Sequence, residues 1–276
     1  MRKTELGAAL RELRKASGKE AKAVARSASM SASKISKIET GKLTPSVVDV
    51  QSILTAIGVS EQATAEYMEA ARTAATEVIA WRLLARTGFH KGQQQVQALD
   101  RQMALLRVFQ PALIPGLLQT PEYIRAVIAR YGLTADSQAR TLAARLDRQQ
   151  VLYDSTKELR FVITESVCRW RIASSAVMAG QIDRLISLSR LPTVDIRVVS
   201  QSARQSDFPS HSFVIRDEKL VTVETVHAEV VVTDPRDIKE YVDTFSGFFH
   251  AALSGEEMRT ALQAIRDEFL REQETG

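Results

Sequence analysis

Cysteine is almost missing from this sequence: Cys168 is the only one in 276 residues. A lone thiol excludes an internal disulfide and cannot build a thiolate metal cluster, and it fits a reducing compartment. Long apolar runs are missing too. No stretch approaches the roughly 18 residues of a membrane span, and Met1–Leu13 (MRKTELGAALREL) lacks the apolar core of a signal peptide. These absences predict a cytoplasmic chain with no membrane partner. Histidine is scarce and scattered at positions 90, 211, 227 and 250, without the HxxxH or HExxH spacing of a metal site. The single glycine of PGLLQT cannot make a phosphate-cradling loop, which needs several converging backbone N–H groups. No metal, cofactor or catalysis is therefore expected. Glu165 and Glu224, both on strand candidates, are expected as surface or arginine-paired carboxylates, Cys168 as a semi-buried thiol, and His250 as a packed edge of the core.

What is present is an uneven distribution of charge. Residues 1–60 carry 11 Lys and Arg against 5 Asp and Glu, while the remainder carries 26 against 28. A small basic module on a near-neutral body suggests a polyanionic partner. The length predicts two domains, set at 1–75 and 76–276.

Periodicity resolves the basic module into short helices. Leu6, Leu10 and Leu13 recur at helical spacing after a candidate N-cap at Thr4, and Val24, Ala25 and Ala28 mark a second helix. The stretch "SMSASKISKIETGKLTPS" then forms a turn at Ser29-Met30 and a third helix that Ser31 can cap and Gly41 ends. Ile35 and Ile38 point inward, so Ala32, Ser33, Ser36 and Lys37 point elsewhere. Pro45 and Ser46 open a fourth helix, and a fifth begins near Glu61. Such an all-α arrangement is that of a helix-turn-helix reader of double-stranded DNA, whose third helix must be lightly decorated to enter a groove about 12 Å wide.

Residues 4–57 resemble the phage-repressor-like (Xre/Cro) helix-turn-helix family, with "VARSASMSASKISKIETGKLTPS" matching its turn, recognition helix and loop. The resemblance implies base contacts at Ala32, Ser33, Lys34, Ser36 and Lys37, and phosphate contacts at Ser31, Lys42 and Thr44. It also implies a structural pair between Arg14 and Glu39. Ala21 stands where the family commonly has a phosphate-gripping glutamine, leaving Lys19 or Lys22 to substitute. Ser29 stands where it prefers glycine, which predicts a strained turn.

Beyond residue 75 the pattern turns to α+β with a mixed sheet. Helices are expected at 95–109, 121–132 and 136–153, around GQIDRLISLSRL, and twice after Pro235. Strands are expected at 159–165, 193–200, 211–216, 220–226 and 229–233. "PGLLQT", "RFVITE", "QIDRLISL" and "HSFVIRD" resemble the C-terminal domain of the WhiJ-like regulators of actinobacteria. That resemblance implies a transcriptional regulator, often antitoxin-like and encoded beside a small partner protein. The larger domain is expected to hold a homodimer through the apolar faces of its last two helices, and to bind a small partner protein or a small-molecule effector. As a sensor the domain would hold its ligand in a pocket beneath "PALIPGLLQTPEY", oriented by Gln119, Thr120 and Tyr123; as an interaction module it would bind its partner through an exposed apolar patch, and the sequence does not separate the two.

Overall fold

The computed structural model describes residues 3–43, 45–80, 89–205, 207–226 and 228–275. These fall into two compact units, one of residues 1–78 with 230–238 and one of 79–229 with 239–276.

The smaller unit is built on five helices: α1 (Lys3–Ala16), α2 (Ala21–Ser27), α3 (Ala32–Glu39), α4 (Val47–Ile57) and α5 (Glu61–Ala75). Thr4 lies inside α1, so it is not the N-cap. Leu6, Leu10, Val24, Ile35, Ile38, Val50 and Leu54 meet in one core, each at most 1% exposed. Burying residues of this kind contributes about 1.5–3 kcal/mol apiece, which lets five short helices that would be marginal alone hold together.

After β1 (Thr76–Ala80), the chain runs through α6 (Phe89–Gln102), β2 (Leu105–Gln110), α7 (Pro121–Ile128), α8 (Ala135–Arg148), β3 (Glu158–Thr164), α9 (Glu165–Arg169), α10 (Ser175–Leu188) and β4 (Val194–Val199). It continues with β5 (Phe213–Arg216), β6 (Leu220–Glu224), β7 (Ala228–Val232), α11 (Pro235–Ala251) and α12 (Gly255–Thr275). β2, β3 and β4 are parallel neighbours, whereas β5 runs antiparallel to β2 and β6 antiparallel to β5. The sheet is therefore mixed. Leu106, Val108, Phe161, Ile163, Ile196 and Val198 alternate onto one face and join a core with Ile182 and Leu185 of α10 and with Leu262 and Ile265 of α12. On the other face Phe109 stacks on Phe213 and on Phe248 of α11.

Several expectations change here. Residues 95–109 are not one helix: α6 stops at Gln102 and β2 follows. β2 is paired on both sides and buried over Leu106–Phe109, and a strand buried on both faces has no alternation to separate it from a helix in sequence. β1 and the five-residue α9 were not foreseen. The apolar faces of α11 and α12, expected at a dimer interface, are used within the unit: Phe245, Phe248, Met258, Leu262, Ile265 and Phe269 are all at most 3% exposed. Cys168 is fully buried rather than semi-buried, and burial pushes its thiol up to about 12. His250 is exposed, with Nδ1 hydrogen-bonded to the carbonyl of Ser246 at 2.7 Å.

Candidate nucleic-acid interface

The turn between α2 and α3 comes first, because it sets how α3 is presented. Ser29 adopts φ +54°, the left-handed region, while the N–H of Met30 donates to the carbonyl of Ala25 at 2.8 Å and closes the end of α2. A non-glycine residue there costs about 1–2 kcal/mol. Ser31 then caps α3, its Oγ accepting from the N–H of Lys34 at 3.1 Å.

Three contacts seat α3 on its scaffold. Ile35 and Ile38 face the core. At the far end, α1 passes so close that a Cβ on Gly7 would lie 2.2 Å from the carbonyl oxygen of Ile38. Only glycine fits there. Beside it the Arg14 guanidinium binds both carboxylate oxygens of Glu39, at 2.6 and 2.8 Å, with the side chains 12% and 11% exposed. Arg14 also donates to the carbonyl of Lys19 at 3.0 Å, and its hydrogen bond to Glu39 raises its pKa further. Mostly desolvated and bidentate, this pair locks the end of α3 to α1.

The outward face of α3 is left clear. Ala32, Ser33, Ser36 and Lys37 are exposed, as are Ser31 and Lys42 beyond its ends and Lys22 on α2. Two other expected DNA contacts are engaged inside the unit. The Lys19 ammonium donates to the carbonyls of Ala56 and Ile57 at 2.8 and 2.9 Å, at the end of α4, where a cation suits the helix dipole. A side chain so held serves as a cap on α4. The Lys34 ammonium lies 2.7 Å from Asp49 Oδ1. Asp49 in turn shares a capping box with Ser46: its Oδ2 accepts from the Ser46 N–H at 3.1 Å, and its own N–H donates to Ser46 Oγ at 3.1 Å. Thr44 lies outside the described residues. The Ser46…Asp49 spacing was legible as a capping box, and Gly7 within a helical pattern was a signal of close approach. Exposed Arg26 on α2 adds a basic group that helical periodicity did not single out.

In the larger unit Gln119, Thr120 and Tyr123 do come together, but as a packed junction. Gln119 Nε2 donates to the carbonyl of Ile114 at 2.6 Å, and Thr120 Oγ1 caps α7 by accepting from the Tyr123 N–H at 3.2 Å. The Thr120 N–H donates to Gln181 Oε1 at 2.7 Å. Tyr123 is 1% exposed and burial pushes its hydroxyl up to about 12. Polar groups so satisfied have little left to offer a ligand, and neither cleft described for this unit is lined by them. A cleft of about 440 Å³ opens instead between Pro111 and Ala112, after β2, and Ser166, Val167 and Trp170. Trp170 is 66% exposed.

Glu165 and Glu224 share no cleft, because β2 and β5 separate β3 from β6. Burial alone would raise the Glu165 carboxyl, but hydrogen bonds from Gln201 N, Arg169 and Ser200 outweigh it and hold the group low. Arg169 pairs with Glu165 at 3.0 Å and also with Glu268, and Arg171 pairs with Glu272. Among the described residues no group of three or more His, Cys, Asp or Glu could hold a metal ion. Nor is any helix among them long and apolar enough to cross a membrane.

Residues 5–67 match the family described as a helix-turn-helix domain, which coincides with α1–α4 and the first half of α5. Residues 93–264, more than half of the chain, match a domain of unknown function, DUF5753. The chain belongs to the DUF5753 family. No curated protein is significantly similar to it in sequence. The distantly similar solved structures include Nuc, a phospholipase D family member from Salmonella typhimurium, and TrmBL2, an archaeal chromatin protein. The first has 13% identity and a TM-score of 0.35, spanning 65% of this chain and 97% of that one. The second has 10% identity and a TM-score of 0.33, spanning 66% of this chain and 53% of that one. At these scores neither bears on fold or function.

Proposed function

We propose that this DUF5753 protein is a sequence-specific DNA-binding transcriptional regulator that acts as a homodimer and catalyses no reaction. α3 lies in the major groove, with Ala32, Ser33, Ser36 and Lys37 at base edges and Ser31, Lys22 and Lys42 at phosphates. The observation that carries this is the outward face of α3, small and exposed, on a helix locked from behind by Gly7 and the Arg14–Glu39 pair. A groove-reading helix needs that combination, because base recognition demands close approach and a fixed register. Dimerisation follows from selectivity: one such helix reads only a few base pairs, and two copies on half-sites about one DNA turn apart multiply the discrimination. A gel shift of the full chain on the region upstream of its own gene, against unrelated duplex at one fixed salt concentration, is the test. Equal affinity for both duplexes would defeat the proposal.

A second reading concerns the larger unit, and the cleft at Trp170 favours it. Its volume of about 440 Å³ falls in the range of small-molecule sites, and it opens beyond the carboxyl ends of two parallel strands, where such sheets offer crevices. On this reading the unit senses an effector there, and not at Gln119, Thr120 and Tyr123. An antitoxin-like unit that binds a small partner protein would use an exposed apolar face instead.

A further inference from the structure

Lys34 occupies the first turn of α3, where a free lysine beside DNA would seek a phosphate. Its ammonium is not free. It sits 2.7 Å from Asp49 Oδ1, with the Lys34 side chain 40% exposed and that of Asp49 only 13%. The carboxylate is itself fixed, because its other oxygen accepts the Ser46 N–H and its N–H donates to Ser46 Oγ. Pulling the lysine away would strand a largely desolvated carboxylate close to a polyanion, which opposes the move twice over. Lys37, one turn further along the same helix, is exposed.

We infer that Asp49 is a specificity-determining residue that neutralises Lys34, so that the first turn of α3 meets DNA as an electroneutral unit and adds nothing to sequence-independent phosphate binding. The inference rests on the DNA-binding reading above. Its logic is that non-specific affinity comes almost wholly from lysine and arginine releasing counterions, whereas specificity is the ratio of specific to non-specific binding. Cancelling one cation near the readout face lowers the background without touching the base contacts.

Salt dependence separates this from a merely structural role for Asp49. Binding of the full chain to a random duplex is measured across a series of salt concentrations for wild type, Asp49→Asn and the double variant Lys34→Ala/Asp49→Asn. Asparagine keeps an oxygen for the Ser46 N–H, so the cap on α4 is retained. Asp49→Asn is expected to steepen the slope of log affinity against log salt by about 0.9, one additional phosphate, and the double variant to return it to the wild-type value. If Lys34 already binds a phosphate in the wild type, Asp49→Asn leaves the slope unchanged and the double variant is shallower by about 0.9, which overturns the inference. Should Asp49→Asn fail to fold in thermal melts, Lys34→Gln, which leaves the Asp49 cap on α4 intact and offers its carboxylate an amide N–H, decides alone: a wild-type slope supports the inference and one shallower by about 0.9 overturns it. A wild-type chain that binds neither random nor upstream duplex overturns the DNA-binding reading itself, a result distinct from both.

Discussion

Residues 31–39 and residues 111–123 both carry small polar side chains between apolar anchors, yet the fold treats them oppositely. In the first, Ile35 and Ile38 turn inward and the hydroxyls and Lys37 of α3 stay outside. In the second, the polar groups themselves are turned inward, so that Gln119 is 1% exposed and bonds to Ile114 and Tyr123 is 1% exposed beneath it. A helix shows which side is free through its period. An irregular, proline-punctuated segment has no period, and its backbone N–H and C=O groups recruit nearby side chains to satisfy themselves. The difference teaches that a run of polar residues advertises a site only where regular structure keeps it outside.

The comparison breaks most readily at Tyr123. Tyr123→Ala is expected to destabilise the larger unit by about 3–5 kcal/mol in denaturant melts, as for other buried aromatics. A loss under 1 kcal/mol would mean that the segment is a loose pocket after all. On the other side of the comparison, Arg14→Ala or Glu39→Ala should cost the smaller unit up to about 3–5 kcal/mol, because each strands a largely buried charge. The double variant should cost clearly less than the sum. Strict additivity would show that the pair does not lock α3.

Lys37→Ala and Ser33→Ala sharpen the contrast from the exposed face. Each should change stability by no more than about 0.5 kcal/mol while lowering affinity for the specific site by about 1–3 kcal/mol and relaxing discrimination at one or two base pairs. Lys42→Ala should weaken all duplexes alike, since a phosphate contact carries no sequence information. A sequence-selective Lys42 beside a neutral Lys37 would shift the register of α3 on its DNA. Ser29→Gly is expected to raise the stability of the smaller unit by about 1 kcal/mol, since glycine adopts φ +54° without steric penalty. A decrease would reveal a native interaction of the serine side chain.

Alkaline titration gives the smallest test. Burial raises the Tyr123 hydroxyl from its ordinary value near 10 to about 12, so the folded state favours the neutral phenol. The associated stability is complete below pH about 10 and is lost as pH climbs through about 12. Tyr123→Phe should remove that part of the alkaline slope. An unchanged slope would assign it to other groups, Cys168 first among them.

Much of the smaller unit was legible because its determinants are local. Isoleucines three apart, a serine before the helix and a glycine after it act within one or two turns, and periodicity and capping report such short-range physics directly. Asp49 and Gly7 show where that stops. Each had a local signal, a capping box and a glycine within a helix, but that Asp49 holds Lys34 and that Gly7 admits the Ile38 carbonyl depends on residues 15 and 31 positions away.

The sequence by itself determined the helix-turn-helix, the identity of the exposed face of α3 and the mixed α+β character beyond it, because period, charge and composition are properties of the chain read in order. Only the tertiary structure decided that Lys19 caps α4, that β2 is a strand, that α11 and α12 bury their apolar faces within their own unit, and that Gln119, Thr120 and Tyr123 close a junction where the sequence suggested a pocket. The physical reason is common to all four. Each depends on which distant group satisfies a carbonyl or covers an apolar side chain, and a polar or apolar residue carries no mark of its partner until the backbone brings the two together.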